Sequence, residues 1–369
     1  MKKILILIGT RPEAIKLAPL IKAFKAEKES FQIRVCTSGQ HIEMVTQVLS
    51  FFEIKEDSRL ETMKEGQSLT ALSTFLLSEI ETELIHFNPD LVVVQGDTHT
   101  ALAGAMAGFY HGAKICHVEA GLRTFQNRDP FPEEMNRRLI SQLADWHFAP
   151  TTRARANLLH EGIPEKKIAL TGNTIIDALN KGMHKIEKKQ YPSVEKVKKI
   201  LSHSTRPFIL ATVHRRENQG EKLVKICQAF REVAETFGVS LIIPVHPNPE
   251  IAGPLRAILG TTPNIILIDP VPYPGFLWLM KNCMLILTDS GGIQEEATAI
   301  GKNVILLRET SERNEAIESG FVFKAGTDVE KIVRLTGTLL EKQSVPGIKN
   351  IFGSGDAAIQ IVTFLKKQL

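Results

Sequence analysis

Short, uninterrupted apolar runs recur along this chain, each followed by a longer amphipathic stretch. In the first half such runs fall at Lys3–Ile8, Gln32–Thr37, Leu91–Gln95, Lys114–Val118 and Trp146–Ala149. Helical patterns near Glu13–Lys28, His41–Phe51, Leu69–Phe87, Thr100–Tyr110, Glu133–Leu143 and Thr152–His160 separate or follow them. A strand that is apolar throughout, rather than at every second residue, must be buried on both faces. A parallel sheet with helices packed on each side meets that requirement.

The same rhythm resumes after residue 206. Strand patterns fall near Phe208–Val213, Ser240–Pro244, Asn264–Ile268, Met284–Thr288 and Asn303–Leu307. Helical patterns follow near Glu221–Phe237, Tyr273–Lys281, Ile293–Ile300, Asp328–Leu340 and Asp356–Lys367. A chain of 369 residues exceeds what one ordinary core accommodates. Two α/β domains of Rossmann-like type are therefore expected. The stretch Lys181–Arg206 parts them. It is rich in lysine, with Tyr191 its single aromatic residue, which favours a solvated helical connector over a nucleic-acid surface.

Several classes fall away on composition. The apolar run Ile4–Ile8 stops at Gly9 and soon meets Arg11 and Glu13, whereas a signal-peptide core needs about 7–15 apolar residues. No run approaches the roughly 20 residues of a membrane span. Cys36, Cys116, Cys227 and Cys283 are far apart and each has an apolar neighbour, so they read as reduced core residues of a cytoplasmic protein. A net charge of +4 fits an anionic small substrate but demands none. No set of residues has the spacing of a metal site.

Ligands of open α/β sheets bind beyond the carboxyl ends of the strands, and the polar residues of this chain gather there. The first strand runs into Gly9-Thr10-Arg11-Pro12-Glu13-Ala14-Ile15-Lys16, where Arg11 and Lys16 are candidates for holding an anion. The strand at Leu91–Gln95 runs into Gly96-Asp97-Thr98, and Thr98 is available as a helix cap, which frees Asp97 for other work. The strand at Lys114–Val118 runs into Glu119, which should share a cleft with Asp97. Pro132 starts a helix whose first turn carries Glu133 and Glu134, acids that the helix dipole alone explains. Several carboxylates around one site supply a proton acceptor and a proton donor to a substrate. In the second half, His214 and His246 follow consecutive strands. Then Asp289-Ser290-Gly291-Gly292 leads into a helix, whose free N–H groups suit a diphosphate, with Glu296 one turn on as an acceptor for ribose hydroxyls. This pattern is neither Gly-x-Gly-x-x-Gly nor a Walker A loop. Together these features point to an enzyme acting on a nucleotide-diphosphate sugar.

Taken in order, the segments GTRPEAIK from Gly9, GDT from Gly96, HVEAGLR from His117, PEEMNR from Pro132, TGNTIIDA from Thr171, HRREN from His214 and DSGGIQEEA from Asp289 span the chain. The chain resembles the bacterial non-hydrolysing UDP-N-acetylglucosamine 2-epimerases. The resemblance implies the glycosyltransferase B fold, two Rossmann-like domains with a cleft between them. An N-terminal domain of residues 1–171 would carry the acid/base groups and a domain of residues 172–355 would bind UDP. A helix of residues 356–369 would cross back to the first domain. It implies reversible exchange of UDP-GlcNAc and UDP-ManNAc, by elimination of UDP to a 2-acetamidoglucal and re-addition, for bacterial surface polysaccharide precursors. Neither metal nor redox cofactor is implied, and the habit is a cytoplasmic homodimer with no nucleic-acid or membrane partner. A hydrolysing relative that releases ManNAc and UDP, and a glycosyltransferase of the same fold, are the alternatives.

Residue by residue, the resemblance makes Asp97, Glu119 and Glu133 the acid/base trio, with His214 beside them as a catalytic candidate. It makes Arg11, Lys16, His246, Phe276, Ser290, Gly291, Gly292, Glu296 and Arg313 candidates for binding substrate. Gln40, His41, Glu43 and Gln67 match the region of a second, activating UDP-GlcNAc site found in some relatives. Here Glu43 replaces a glutamine of that pattern and Gly66 replaces an arginine, so activation by substrate is not implied with the same force.

Overall fold

The protein is described by a computed structural model covering residues 1–40, 42–61, 67–202, 204, 206–341 and 350–369. It divides into two compact units. One comprises Met1–Asn180 with Phe352–Leu369, the other Lys181–Ile351.

The first unit is built on a seven-stranded parallel sheet. Its strands are β1 (Lys2–Ile8), β2 (Phe31–Thr37), β3 (Ser58–Arg59), β4 (Leu91–Gln95), β5 (Lys114–Val118), β6 (Trp146–Ala149) and β7 (Ile168–Leu170). They lie in the order β3-β2-β1-β4-β5-β6-β7. Ile4–Ile8 and Leu91–Val94 are buried throughout, which explains their unbroken apolar character. The chain runs outward from β1 to one edge, then returns to place β4 on the other side of β1. Between β1 and β4 the direction of winding reverses, and at such a point the loops diverge and leave a crevice.

Helices cover this sheet for legible reasons. The helix Arg11–Ala26 opens with Thr10 as N-cap, Pro12 in its first turn and Glu13 completing a capping box. Ser68 caps Leu69–Phe87, which buries Leu72, Leu76, Ile80 and Leu84 against the sheet. The last helix, Ala357–Gln368, packs in this unit. Asp177, on the helix Thr174–Lys188, accepts from the amides of Ala357 and Ala358 at 3.2 and 3.0 Å. Phe364 meets Phe148 edge to face.

The second unit repeats the design with six parallel strands, β8 (Phe208–Thr212), β9 (Ser240–Pro244), β10 (Ile265–Ile268), β11 (Ile286–Thr288), β12 (Val304–Leu306) and β13 (Val322–Lys324). Their order, β10-β9-β8-β11-β12-β13, puts the reversal between β8 and β11. The helix Glu221–Thr236 buries Leu223, Ile226, Phe230 and Val233 in this unit's core.

Three strands lie outside the apolar runs that sequence made visible: β3, β7 and β13. Each lies at or beside a sheet edge and has two or three residues, too few for a periodic signal. Two helices, Thr174–Lys188 and Pro192–Leu201, occupy much of the lysine-rich stretch. Its Lys188, Lys189, Lys196, Lys198 and Lys199 are exposed, but Val194 and Val197 are buried where the second helix packs on Tyr273–Asn282. The stretch is thus part of a core and not simply a tether. All four cysteines are buried and free. No described helix is long and apolar enough to cross a membrane.

Candidate active site

In the first unit, the reversal point collects carboxylates. Gly9 follows β1 at a place where a Cβ would stand 2.4 Å from Thr100 Oγ1 and 2.9 Å from Glu13 Oε2, so only glycine lets these groups close on the turn. Glu13 accepts from Thr10 N at 2.7 Å, from Thr10 Oγ1 at 2.8 Å and from Thr98 Oγ1 at 2.9 Å. Burial pushes its carboxyl up to about 7, against those hydrogen bonds.

Glu119 follows β5 at φ +65°, a left-handed conformation that costs a non-glycine residue about 1–2 kcal/mol. Such strain persists where the surroundings over-determine it, and here they do. Lys16 Nζ reaches both carboxylate oxygens of Glu119 at 2.6 Å. Asn173 Nδ2 donates to Oε1 at 3.0 Å and Gln95 Nε2 donates to Oε2. The ion pair is deeply placed, with side-chain exposures of 8% for Lys16 and 4% for Glu119. The ammonium of Lys16, an anion-binding candidate by sequence, therefore lies on Glu119 within its own unit.

Asp97 follows β4 in a different setting. Its side chain is 32% exposed and its nearest cation is Arg137, at 3.6 Å. The backbone around it is what is held. His117 Nε2 donates to the Gly96 carbonyl at 2.8 Å, and Asn136 Nδ2 donates to the Asp97 carbonyl at 2.8 Å. His117 is a neutral imidazole, its pKa pushed by burial down to about 3. Thr98 caps the next helix, accepting from Ala101 N at 3.1 Å. Asp97 is thereby left out of capping, in line with the sequence reading.

The helix Glu133–Leu143 brings the third acid. Glu133 opens it, partly buried. Glu134 is fully buried and takes a different part: it accepts from the amides of Thr124 and Phe125 at 3.0 and 3.1 Å and lies 3.3 Å from Arg137 Nε. The helix thus carries one acid that anchors a loop, one acid at its start, and the Asn136 and Arg137 that flank Asp97.

In the second unit, the reversal point collects histidine, a buried aspartate, backbone and glycine. His214 and Arg215 follow β8, His246 follows β9, and Asp289-Ser290-Gly291 follows β11. The rings of His214 and His246 stack at 6.2 Å. His246 Nδ1 accepts from Asn248 N at 3.2 Å. Ser290 is the N-cap of Gly291–Ala299 without a side-chain capping bond. A Cβ on Gly291 would stand 2.5 Å from Arg313 Nη1, so glycine admits the guanidinium to the helix start. Arg313 is buried and donates to Glu295 Oε1 at 2.5 Å, and also to Glu312. Arg308, fully buried, bridges Glu217 at 2.6 Å and Glu312 at 3.3 Å. Glu296 accepts from Tyr273 OH at 3.0 Å. Phe276 lies partly buried on the helix Tyr273–Asn282.

Of the remaining candidates, Arg11 opens its helix next to Thr10 and Gln40 lies 3.5 Å from Thr100 Oγ1. Glu43 is exposed in the first turn of Ile42–Phe51, and Gln67 has a buried amide oxygen without a described hydrogen bond. His41 lies outside the described residues. Among the described residues no cluster of His, Cys, Asp or Glu is placed to hold a metal ion.

Sequence reasoning passed over Glu13, Gln95, Asn136, Arg137, Asn173 and Asp289. The Thr10-x-x-Glu13 spacing is a readable capping-box signal. The partners of Glu119 carry no local signal, because Gln95 and Asn173 meet it only through the sheet.

Comparison with known proteins gives a consistent answer. A sequence-family model for "UDP-N-acetylglucosamine 2-epimerase" matches residues 22–366. The chain is 44% identical to the UDP-N-acetylglucosamine 2-epimerases of Yersinia pestis and of Escherichia coli K12, in each case across 99% of this chain and 98% of the relative. Its structure is similar to that of the Neisseria meningitidis UDP-GlcNAc 2-epimerase bound to UDP-GlcNAc. The TM-score is 0.94 and the identity 42%, over 99% of this chain and 100% of that one. It is also similar to the Methanocaldococcus jannaschii enzyme in complex with UDP-GlcNAc and UDP, with a TM-score of 0.90 and 35% identity over 99% of both chains. The paired parallel sheets with interleaved helices are the glycosyltransferase-B-like α/β class that the sequence predicts. The chain belongs to the UDP-N-acetylglucosamine 2-epimerase family.

Proposed function

We propose that this protein interconverts UDP-GlcNAc and UDP-ManNAc without hydrolysing them. What supports this reading is the different chemistry at the two reversal points. One unit gathers Asp97 and a cation-locked Glu119 around its reversal point, and the other offers a glycine-lined helix start with buried arginines. We assign the uridine diphosphate to the second unit, with Ser290, Gly291, Gly292, Glu296, His246, Phe276 and Arg313 as its binding groups. Proton transfer belongs to the first.

The chemistry follows from the acidity of the sugar. The hydrogen on C2 is only weakly acidic, so its removal must be coupled to loss of a good leaving group. A carboxylate takes the C2 proton, a C1–C2 double bond forms, and the C1–O bond breaks with its electron pair going to UDP. Re-addition of UDP at C1, with protonation of C2 on the opposite face, gives the epimer. His214 stabilises the departing diphosphate, and Arg11 is kept as a candidate for binding substrate.

The settings of the acids suggest their division of labour. Glu119 has both oxygens engaged by Lys16, Gln95 and Asn173, which suits a fixed, ionised group near developing charge. Asp97, more open and only loosely paired, is the better candidate for passing a proton to and from the sugar, with Glu133 across from it in role. A cytoplasmic homodimer feeding surface polysaccharide synthesis belongs to the same reading. Substrate activation through Gln40, His41, Glu43 and Gln67 is not part of the proposal, since Glu43 and Gly66 depart from the activating pattern.

Incubation with UDP-GlcNAc alone tests the proposal. UDP-ManNAc should accumulate to a fixed ratio, with no free UDP. Stoichiometric UDP and ManNAc would favour the hydrolysing alternative, and turnover only with an added acceptor would favour a glycosyltransferase.

A further inference from the structure

The acid at the head of the Ser-Gly-Gly turn has no place in the scheme so far, yet it is among the most heavily engaged side chains of the second unit. Asp289 follows β11 at the reversal point and is fully buried. Its Oδ2 accepts from Arg215 N at 2.9 Å, from Asn218 Nδ2 at 3.0 Å and from His214 N at 3.1 Å. Its Oδ1 lies 3.0 Å from His214 Nδ1 and 3.2 Å from His214 N. One oxygen thus shapes the turn after β8, and the other faces the imidazole.

The geometry points to Asp289 as a positioning residue for His214. A carboxylate is an acceptor only, so the nitrogen facing it must carry the proton. His214 is therefore held in the form with N–H at Nδ1, and Nε2 is the nitrogen left for substrate. The side chain is 36% exposed, so the imidazole can meet a ligand while Nδ1 is anchored to a buried group. When Nε2 takes up or shares a proton at the leaving diphosphate, the positive charge that spreads over the ring is matched by Asp289. Burial opposes ionisation of Asp289, but the His214 ring and the amides it accepts from hold its carboxyl below the ordinary value. The carboxylate is thus present to do this. The His246 ring stacks against it, with centroids 6.2 Å apart.

The proposal rests on His214 acting in turnover, and the test separates the two. Asp289→Asn is informative because its amide oxygen can replace Oδ2 and keep the bonds to Arg215 and Asn218. Its NH₂ then replaces Oδ1 and can only donate to the ring, which favours the proton on Nε2. We expect kcat on UDP-GlcNAc to fall by at least about 100-fold, as for other histidines forced into the wrong tautomer, with KM within about threefold. In a His214→Asn background the same change should add less than about twofold, because its effect runs through the ring. Nitrogen-15 NMR of the neutral imidazole, in the unmodified protein, should show the proton on Nδ1, and it needs no variant to fold. A proton on Nε2 in the unmodified protein would overturn the assignment, as would a full Asp289→Asn penalty in the His214→Asn background. Wild-type turnover by His214→Asn would remove the role of His214 itself, while the NMR result would still report whether Asp289 sets the tautomer.

Discussion

The two units share a plan and differ in what they place at the same point of it. Each is a parallel sheet whose winding reverses once, between β1 and β4 in the first and between β8 and β11 in the second. The first fills that point with carboxylates: Glu13 after β1, Asp97 after β4 and Glu119 after β5. The second places there His214 against the buried carboxylate of Asp289, a helix start without a side-chain cap, and Arg313, drawn close by Gly291 and paired with Glu295 and Glu312. An open sheet of this type supplies a crevice and is indifferent to its chemistry. The two units thus set different side-chain chemistry at the same point of one architecture.

Within the first unit the contrast between Glu119 and Asp97 is sharper still, and it sets the largest expected effect. Lys16→Met leaves the buried Glu119 carboxylate without its cation. We expect a loss of about 3–5 kcal/mol in unfolding free energy, read by denaturant titration, together with loss of activity. Replacing Glu119 by Leu in the same chain should restore most of the stability and none of the activity. Asp97→Asn should instead cut kcat by about 10²–10⁴-fold, because a proton acceptor is lost, and change stability little, because the side chain is partly exposed. If Asp97→Asn unfolded the protein, or left kcat intact, the division of labour between these acids would be wrong.

Smaller effects test the second unit and the frame. Gly291→Ala forces a Cβ against Arg313, and we expect UDP affinity by calorimetry to fall about tenfold, worth about 1.4 kcal/mol. Asp177→Ala removes the acceptor for Ala357 and Ala358 and should cost about 1 kcal/mol, measured as a shift in unfolding midpoint, without changing kcat. The remaining effect is a pH dependence. Because burial raises the Glu13 carboxyl to about 7, the folded state binds its proton more tightly than the unfolded chain does. Its contribution is present in full below the unfolded value near 4.5 and is lost as pH rises through about 7. Glu13→Gln, which cannot ionise, should therefore gain stability relative to wild type as pH rises from about 4.5 to about 7, by at most about 1.4 kcal/mol per pH unit, and the gain should level off above that. A difference that stays flat with pH would mean that Glu13 is ionised throughout.

Much of this was legible in sequence, and the limits are physical. The long central strands are apolar on both faces and announce themselves, whereas β3, β7 and β13 have too few residues to do so. Glu119 stands directly after its strand and Asp97 one residue beyond its own, so topology alone puts them at the carboxyl edge. Glu133 does not; the dipole of its helix explains it equally well, and only resemblance to a family raises it above Glu134. The structure then shows Glu134 spent on two loop amides. Lys16 was readable as a cation near a turn, but its engagement with Glu119, 103 residues away, depends on the packing of the whole unit. The setting of Asp289 was hidden in the same way, since His214 lies 75 residues before it and meets it only across adjacent strands.

In the proposed reaction the acids of the first unit exchange the hydrogen on C2 of a UDP-bound amino sugar. Incubating the protein with UDP-GlcNAc in heavy water and reading C2 by proton NMR tests it directly. Deuterium should appear at C2 in both UDP-GlcNAc and UDP-ManNAc as the two equilibrate, and Asp97→Asn should suppress it. Epimerisation without deuterium at C2, or no exchange under conditions where UDP-GlcNAc binds, would contradict the account.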